Sequence, residues 1–143
     1  PTAIASKPKV TGLLETALAV MNVEHSAAFY ERLFGFARLL TTERLVALDV
    51  VGRDLLLIFL QGATEDPFTL PGGVIPGHGS SGRHHLAFSV TADEIATWKS
   101  RLEAEAVHTE SVVNWPGGAE SVYFRDPDQH LVELITPGFW ATY

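Results

Sequence analysis

Seventy residues separate Glu15 from His85, and that offset organises the whole chain. Shifted by it, "ETALAV" (Glu15 to Val20) lies on "HLAFSV" (His85 to Val90). Each is followed by a capping residue and a stretch of helical periodicity. After Val20, the apolar residues Val23, Ala27, Phe29, Tyr30, Leu33 and Phe34 recur at helical spacing. Asn22 is a suitable N-cap for them and Gly35 a suitable stop. After Val90, Thr91 or Asp93 is placed to cap a second helix with Ile95, Trp98 and Leu102 on one face. Three strand-like runs follow each helix. They are Ala37 to Thr41, Arg44 to Val51 and Leu55 to Gln61 in the first half, and Val107 to Val113, Ser121 to Arg125 and Leu131 to Thr136 in the second. The expected fold class is therefore α+β, a strand, a helix and three strands written twice.

Between the halves, residues 62–83 hold six glycines and three prolines, which predicts a linker or an ordered loop across a site. The expected organisation is one domain over residues 1–143. Module one covers about 13–61, the linker 62–83 and module two about 84–137. A chain of 143 residues buries roughly 68–70% of its unfolded surface, enough for a core without covalent staples.

Charge narrows the partners. Ten basic against seventeen acidic residues leave a net charge of −7, with no Lys/Arg cluster. This disfavours nucleic acid, whose binding depends on neutralising phosphates, and disfavours anionic membranes. The longest apolar run, Leu55 to Leu60, is far too short to span a bilayer. The first ten residues have no apolar core of a signal peptide and read as a loose lead-in. There are no cysteines, so disulfides, thiolate metal sites and cysteine nucleophiles are excluded, and a cytoplasmic location is expected.

Strand alternation singles out a small set of side chains. In "HLAFSV", His85, Ala87 and Ser89 share one face, and Leu86, Phe88 and Val90 the other. In "ETALAV", Glu15, Ala17 and Ala19 share one face, and Thr16, Leu18 and Val20 the other. Both strands thus place an ionisable residue before two small residues, the pattern of a cavity wall. In "LVELIT", Glu133 stands among apolar neighbours and needs a metal, an arginine or solvent, because an unpaired buried carboxylate is costly. Each residue alone has a plainer reading: a strand glutamate usually faces solvent, and a histidine at a strand start is usually a hydrogen-bonded structural group. Their equivalent placement favours a common role. Glu15, His85 and Glu133 are the expected ligands of one divalent metal, and such a sulfur-free set suits Fe, Mn, Ni, Co or Zn. His84 falls on the Leu86 side and is expected to be structural. Tyr123 and His130 are weaker candidates for acid/base or positioning roles, as is His78.

Three stretches carry a family resemblance. "ETALAVMNVEHSAAFYERLFGF", "HLAFSV" and "SVYFRDPDQHLVELITPG" resemble the opening strand and helix, the second-module opening and the closing hairpin of the vicinal oxygen chelate superfamily. That superfamily includes glyoxalase I, fosfomycin- and bleomycin-resistance proteins and extradiol dioxygenases. The resemblance implies paired βαβββ modules forming a cupped, half-open mixed β-barrel around a metal. It places the family's ligands on Glu15, His85 and Glu133. It also implies a small-molecule substrate chelated through two adjacent oxygens, and a homodimer. The family's fourth ligand falls on Ile58 or Phe59, neither of which binds metal, so the pattern sits closer to three-ligand members. Gln129 replaces the usual turn glycine, which asks a non-glycine residue to take a left-handed conformation. The leading expectation is a metal-dependent lyase, transferase or dioxygenase. The alternatives are a metal-free protein that sequesters a ligand in the same cup, and a dimeric structural module.

Overall fold

The structure, a computed structural model, describes Thr2 and residues 6–143. The lead-in expected over residues 1–10 lies partly outside the described residues. The chain forms β1 (Glu15–Val20), α1 (Val23–Phe34), β2 (Ala37–Thr41), β3 (Leu45–Val50) and β4 (Asp54–Leu60). A short hairpin of β5 (Phe68–Leu70) and β6 (Gly73–Ile75) follows. Then come β7 (His85–Ser89), α2 (Ile95–Ala104), β8 (Thr109–Asn114), β9 (Glu120–Arg125) and β10 (Leu131–Ile135). The hairpin occupies the stretch expected to be loop.

Two four-stranded sheets result, ordered β1-β4-β3-β2 and β7-β10-β9-β8. In each, the first strand of the module runs parallel to the last, and the other pairings are antiparallel. The two sheets therefore have the same topology, as the offset requires. They are cupped and do not close into a barrel.

Local chemistry explains the helix ends. The Asn22 side chain accepts from His25 N–H at 2.9 Å, and Gly35 ends α1 at φ 74°. α2 differs from expectation: a 3-10 turn over Ala92–Glu94 precedes it, and Thr91 makes no side-chain cap bond. Gln129 takes the left-handed conformation expected of it, at φ 68°.

One core joins the modules. Leu18, Val20, Val46, Leu48, Leu56 and Ile58 from the first sheet cluster with Leu86, Val122, Phe124, Val132 and Leu134 from the second. α1 lies between them, with Phe29 and Phe34 each 6.4 Å from the Phe124 ring and Phe34 4.7 Å from Phe88. Polar ties reinforce the junction. Tyr30 donates its hydroxyl to Asp126 at 2.7 Å, and Ser26 donates to Asp128 at 2.8 Å. Burial is the first cause that raises the pKa of Asp126 above the ordinary carboxylate range, against the pull of the Tyr30 bond. Burial likewise pushes the Tyr30 phenol up, helped by the Asp126 charge.

The buried faces are those the alternation predicts. Leu86 and Val90 are buried while His85, Ala87 and Ser89 are exposed; Leu18 and Val20 are buried while Glu15 and Ala17 are exposed. Each sheet therefore turns one face into the core and leaves the other open.

Candidate metal centre on the open face of the second module

Glu133 is the exception to that division. It lies on the open side of β10, yet it is only 7% exposed. Its burial is explained from the neighbouring strand. The β9–β10 register sets Tyr123 opposite Glu133 and Ser121 opposite Ile135. Ser121 donates to Glu133 Oε2 at 2.5 Å, and Tyr123 donates to the same oxygen at 3.0 Å. Trp115 Nε1–H donates to Ser121 Oγ at 2.8 Å, which turns the serine proton toward the carboxylate. One oxygen of Glu133 is thus saturated by protein donors. Burial is the first cause that raises the Tyr123 phenol above its ordinary value, and its bond to Glu133 adds to this.

The other oxygen faces a histidine. Glu133 Oε1 lies 3.2 Å from His85 Nε2. His85 Nδ1 lies 3.0 Å from the Leu131 carbonyl oxygen. A carbonyl can only accept, so Nδ1 carries the proton and, in the neutral ring, Nε2 presents a lone pair. Two electron-rich atoms then point at each other across 3.2 Å, an arrangement that requires a proton or a cation between them. The separation also matches two ligands of one ion, each about 2.0–2.2 Å from it. A backbone carbonyl on the far nitrogen is the usual support of a metal-binding imidazole. The donor set therefore fits a divalent metal.

The remaining predicted residues are placed differently. Glu15 is exposed on the open face of the other sheet, paired in register with Leu55. Among the described residues, no three His, Asp or Glu side chains converge closely enough to hold one ion. The structure brings His85 and Glu133 together and leaves Glu15 apart. His130 is fully buried with both ring nitrogens committed: Nδ1 accepts His84 N–H, and Nε2 meets the Ala19 carbonyl, each at 2.9 Å. It staples β1 to the start of β7. His84 stacks on it, ring centroids 4.7 Å apart, as befits a structural histidine. Ser121 and Trp115 are additions that the alternation argument did not weigh as parts of the site. Counting back from the "DPDQ" turn was the available signal, since it fixes the β9–β10 register.

Comparison with known proteins agrees with this architecture. Residues 12–134 match the family described as the Glyoxalase/Bleomycin resistance protein/Dioxygenase superfamily. The chain belongs to that superfamily. A solved structure described as lactoylglutathione lyase from Agrobacterium tumefaciens is 33% identical, with a TM-score of 0.84 over 94% of this chain and 99% of that one. The metallothiol transferase FosB of Bacillus licheniformis is 25% identical over 135 residues, which is 90% of this chain and 77% of FosB. An integron cassette protein from the Halifax Harbour sewage outfall metagenome is 29% identical, with a TM-score of 0.70 and coverage of 89% and 99%. This superfamily chain has two cupped sheets, with the His85–Glu133 pair on the open face of the second. Among the described residues, no helix is long and apolar enough to cross a membrane.

Proposed function

We propose that the protein is a metal-dependent enzyme of the glyoxalase/dioxygenase type, acting on a small molecule that offers two adjacent oxygens to a divalent ion. The observation that carries this reading is the opposed pair His85 Nε2 and Glu133 Oε1, each oriented by a partner that leaves its lone pair free. When bound, the ion supplies Lewis acidity toward the chelated oxygens. The rest is the work of the chain. Leu131 O fixes the imidazole tautomer, and Ser121 and Tyr123 fix the carboxylate plane. Ala87 and Ser89, beside His85 on the same face, leave room above it.

Glu15 is the third ligand in this proposal, supplied by a second copy of the chain. Two observations support that assignment. Glu15 occupies in the first module the position His85 occupies in the second, and both open faces stand uncovered while the core faces are shared. A homodimer that sets one copy's first module against the other's second module completes the cup.

Metal analysis tests the reading. Protein purified with Fe, Mn, Ni, Co and Zn in turn is expected to retain about one ion per chain and, as a three-ligand member, to transfer a thiol in its presence. Absence of a stoichiometric ion under every supplement defeats the proposal. A second reading draws on the same contact. A protonated His85 forms an ion pair with Glu133 at 3.2 Å without metal, leaving a ligand-sequestering protein of the same fold. Compound binding that is unchanged by chelators favours it.

A further inference from the structure

The loop between the modules is tied at its neck. Buried Thr64 donates its hydroxyl to the His78 carbonyl at 2.8 Å, and its own carbonyl accepts His78 N–H at 2.8 Å. At Gly77, a Cβ would lie 2.0 Å from the Glu65 carbonyl oxygen, so only glycine passes the crossing. This double tie fixes where His78 stands, and the β5–β6 hairpin occupies the loop between the tied ends.

His78 is held over the open face of the first module. Its ring lies edge-on to Phe59, centroids 5.0 Å apart at 81°. Phe59 pairs in register with Ala19, on the face that carries Glu15 and Ala17. The imidazole is exposed, and neither ring nitrogen has a hydrogen-bond partner among the described residues. Beside it is a crevice of about 20 Å³, lined by Ala17, Ala19, Phe59, Gln61, His78 and Ser80 among others. That volume admits one water-sized group. Glu15 and Ala19 are four residues apart on β1, about 13 Å at the strand rise, and only the methyl of Ala17 stands between them on that face.

We propose that this end of the face is a subsite for a neutral hydrogen-bonding group, an amide or a hydroxyl, carried on an apolar stem and positioned by His78. The polar atoms offered by Gln61, Ser80 and His78 include both donors and acceptors. No Asp, Glu, Lys or Arg is among the residues lining the crevice, so it offers neither a cation nor an anion an oppositely charged partner. Phe59 and the two alanines supply the apolar floor for the stem. The inference rests on the open face being the ligand face, as in the proposed function, and it does not need the metal.

The test uses the full chain stripped of metal, with the imidazole signals followed by NMR. The probes are hexanamide, hexanoate and hexylammonium. Hexanamide is expected to shift the His78 signals saturably and to bind at least about fivefold tighter than either charged probe, the effect of one neutral hydrogen bond. His78→Phe keeps the ring contact with Phe59 and removes the hydrogen bond, so it should lose that fivefold preference. Three results would each overturn the proposal: His78 signals that no probe moves, a charged probe that binds tighter, or a His78→Phe protein that binds hexanamide as well as the wild type. Metal content of the untreated protein, measured alongside, reports on His85 and Glu133 separately. A failure of the metal reading therefore leaves this result standing.

Discussion

The two open faces have the same topology and opposite characters. That of the second module is wired in advance: Ser121, itself held by Trp115, and Tyr123 converge on one oxygen of Glu133 and leave the other opposite His85. That of the first is a mostly apolar floor of Ala17, Ala19, Leu57 and Phe59, with exposed Glu15 at one end, Asp49 in the same row on β3 where it accepts Gly52 N–H, and His78 at the far end. In the proposed function, the duplicated unit is divided between holding an ion and receiving a ligand. The division is economical because buried polar networks need every member satisfied, and one network is easier to satisfy than two.

The comparison breaks first if Glu133 is not the anchor. Glu133→Ala is expected to weaken metal binding by more than about 100-fold, beyond the range for loss of an outer partner. Titration calorimetry with Mn or Zn reads this directly. His85→Ala should behave alike. A Glu133→Ala protein that keeps wild-type metal affinity would show that the wired face holds no ion.

The next test asks whether the plain face completes the wired one across two chains. Glu15→Ala and His85→Ala are each expected to be inactive. Mixed in equal amounts and allowed to exchange subunits, they should recover about a quarter of wild-type activity, because half the dimers carry one intact site of two. No recovery, with exchange demonstrated, places Glu15 outside the centre or within its own chain's site.

Smaller effects sharpen the wiring. Tyr123→Phe and Ser121→Ala each remove one donor to Glu133 and should lower metal affinity about 10- to 100-fold without removing a ligand. Ser121→Ala also orphans the Trp115 N–H and should cost about 1–3 kcal/mol in urea denaturation, more than Tyr123→Phe. Equal stability of the two variants would remove Trp115 from the network.

What was legible in the sequence follows from the range of each interaction. Alternation within one strand depends only on neighbours, so the exposed side of β7 and the exclusion of His84 were readable. Asn22, Gly35 and Gln129 are local as well, and their backbone roles were readable from residue type. The burial of Glu133 was not, because a carboxylate on an open face is buried only by what an adjacent strand supplies. Nor was the commitment of His130, whose Nε2 meets a carbonyl 111 residues away. The separation of Glu15 from its expected partners is a third case: a repeat makes two positions equivalent without making them adjacent. The β5–β6 hairpin was hidden by its glycines and prolines, which mark turns but do not say what pairs between them.

The smallest expected effect concerns what keeps the two faces in their relation. Tyr30 and Asp126 join α1 of the first module to the β9–β10 turn of the second, and the groups around Asp126 are Tyr30, Asp128 and His130. Burial raises the Asp126 pKa and the Tyr30 bond lowers it, with burial prevailing. A carboxyl whose folded value exceeds its unfolded value contributes stability that is full below the ordinary aspartate value near 3.9 and is lost as pH rises through the folded value. Tyr30→Phe removes the opposing pull and raises the folded value further. The cost of the variant should therefore be smallest below the ordinary aspartate value and rise with pH through the folded value, toward about 1–3 kcal/mol once a buried carboxylate has lost its donor. Urea denaturation of both proteins across that range measures the difference. A cost that stays constant with pH would mean that Tyr30 holds the modules together by packing, against Phe29 and Phe34, and that its hydroxyl is incidental to the junction.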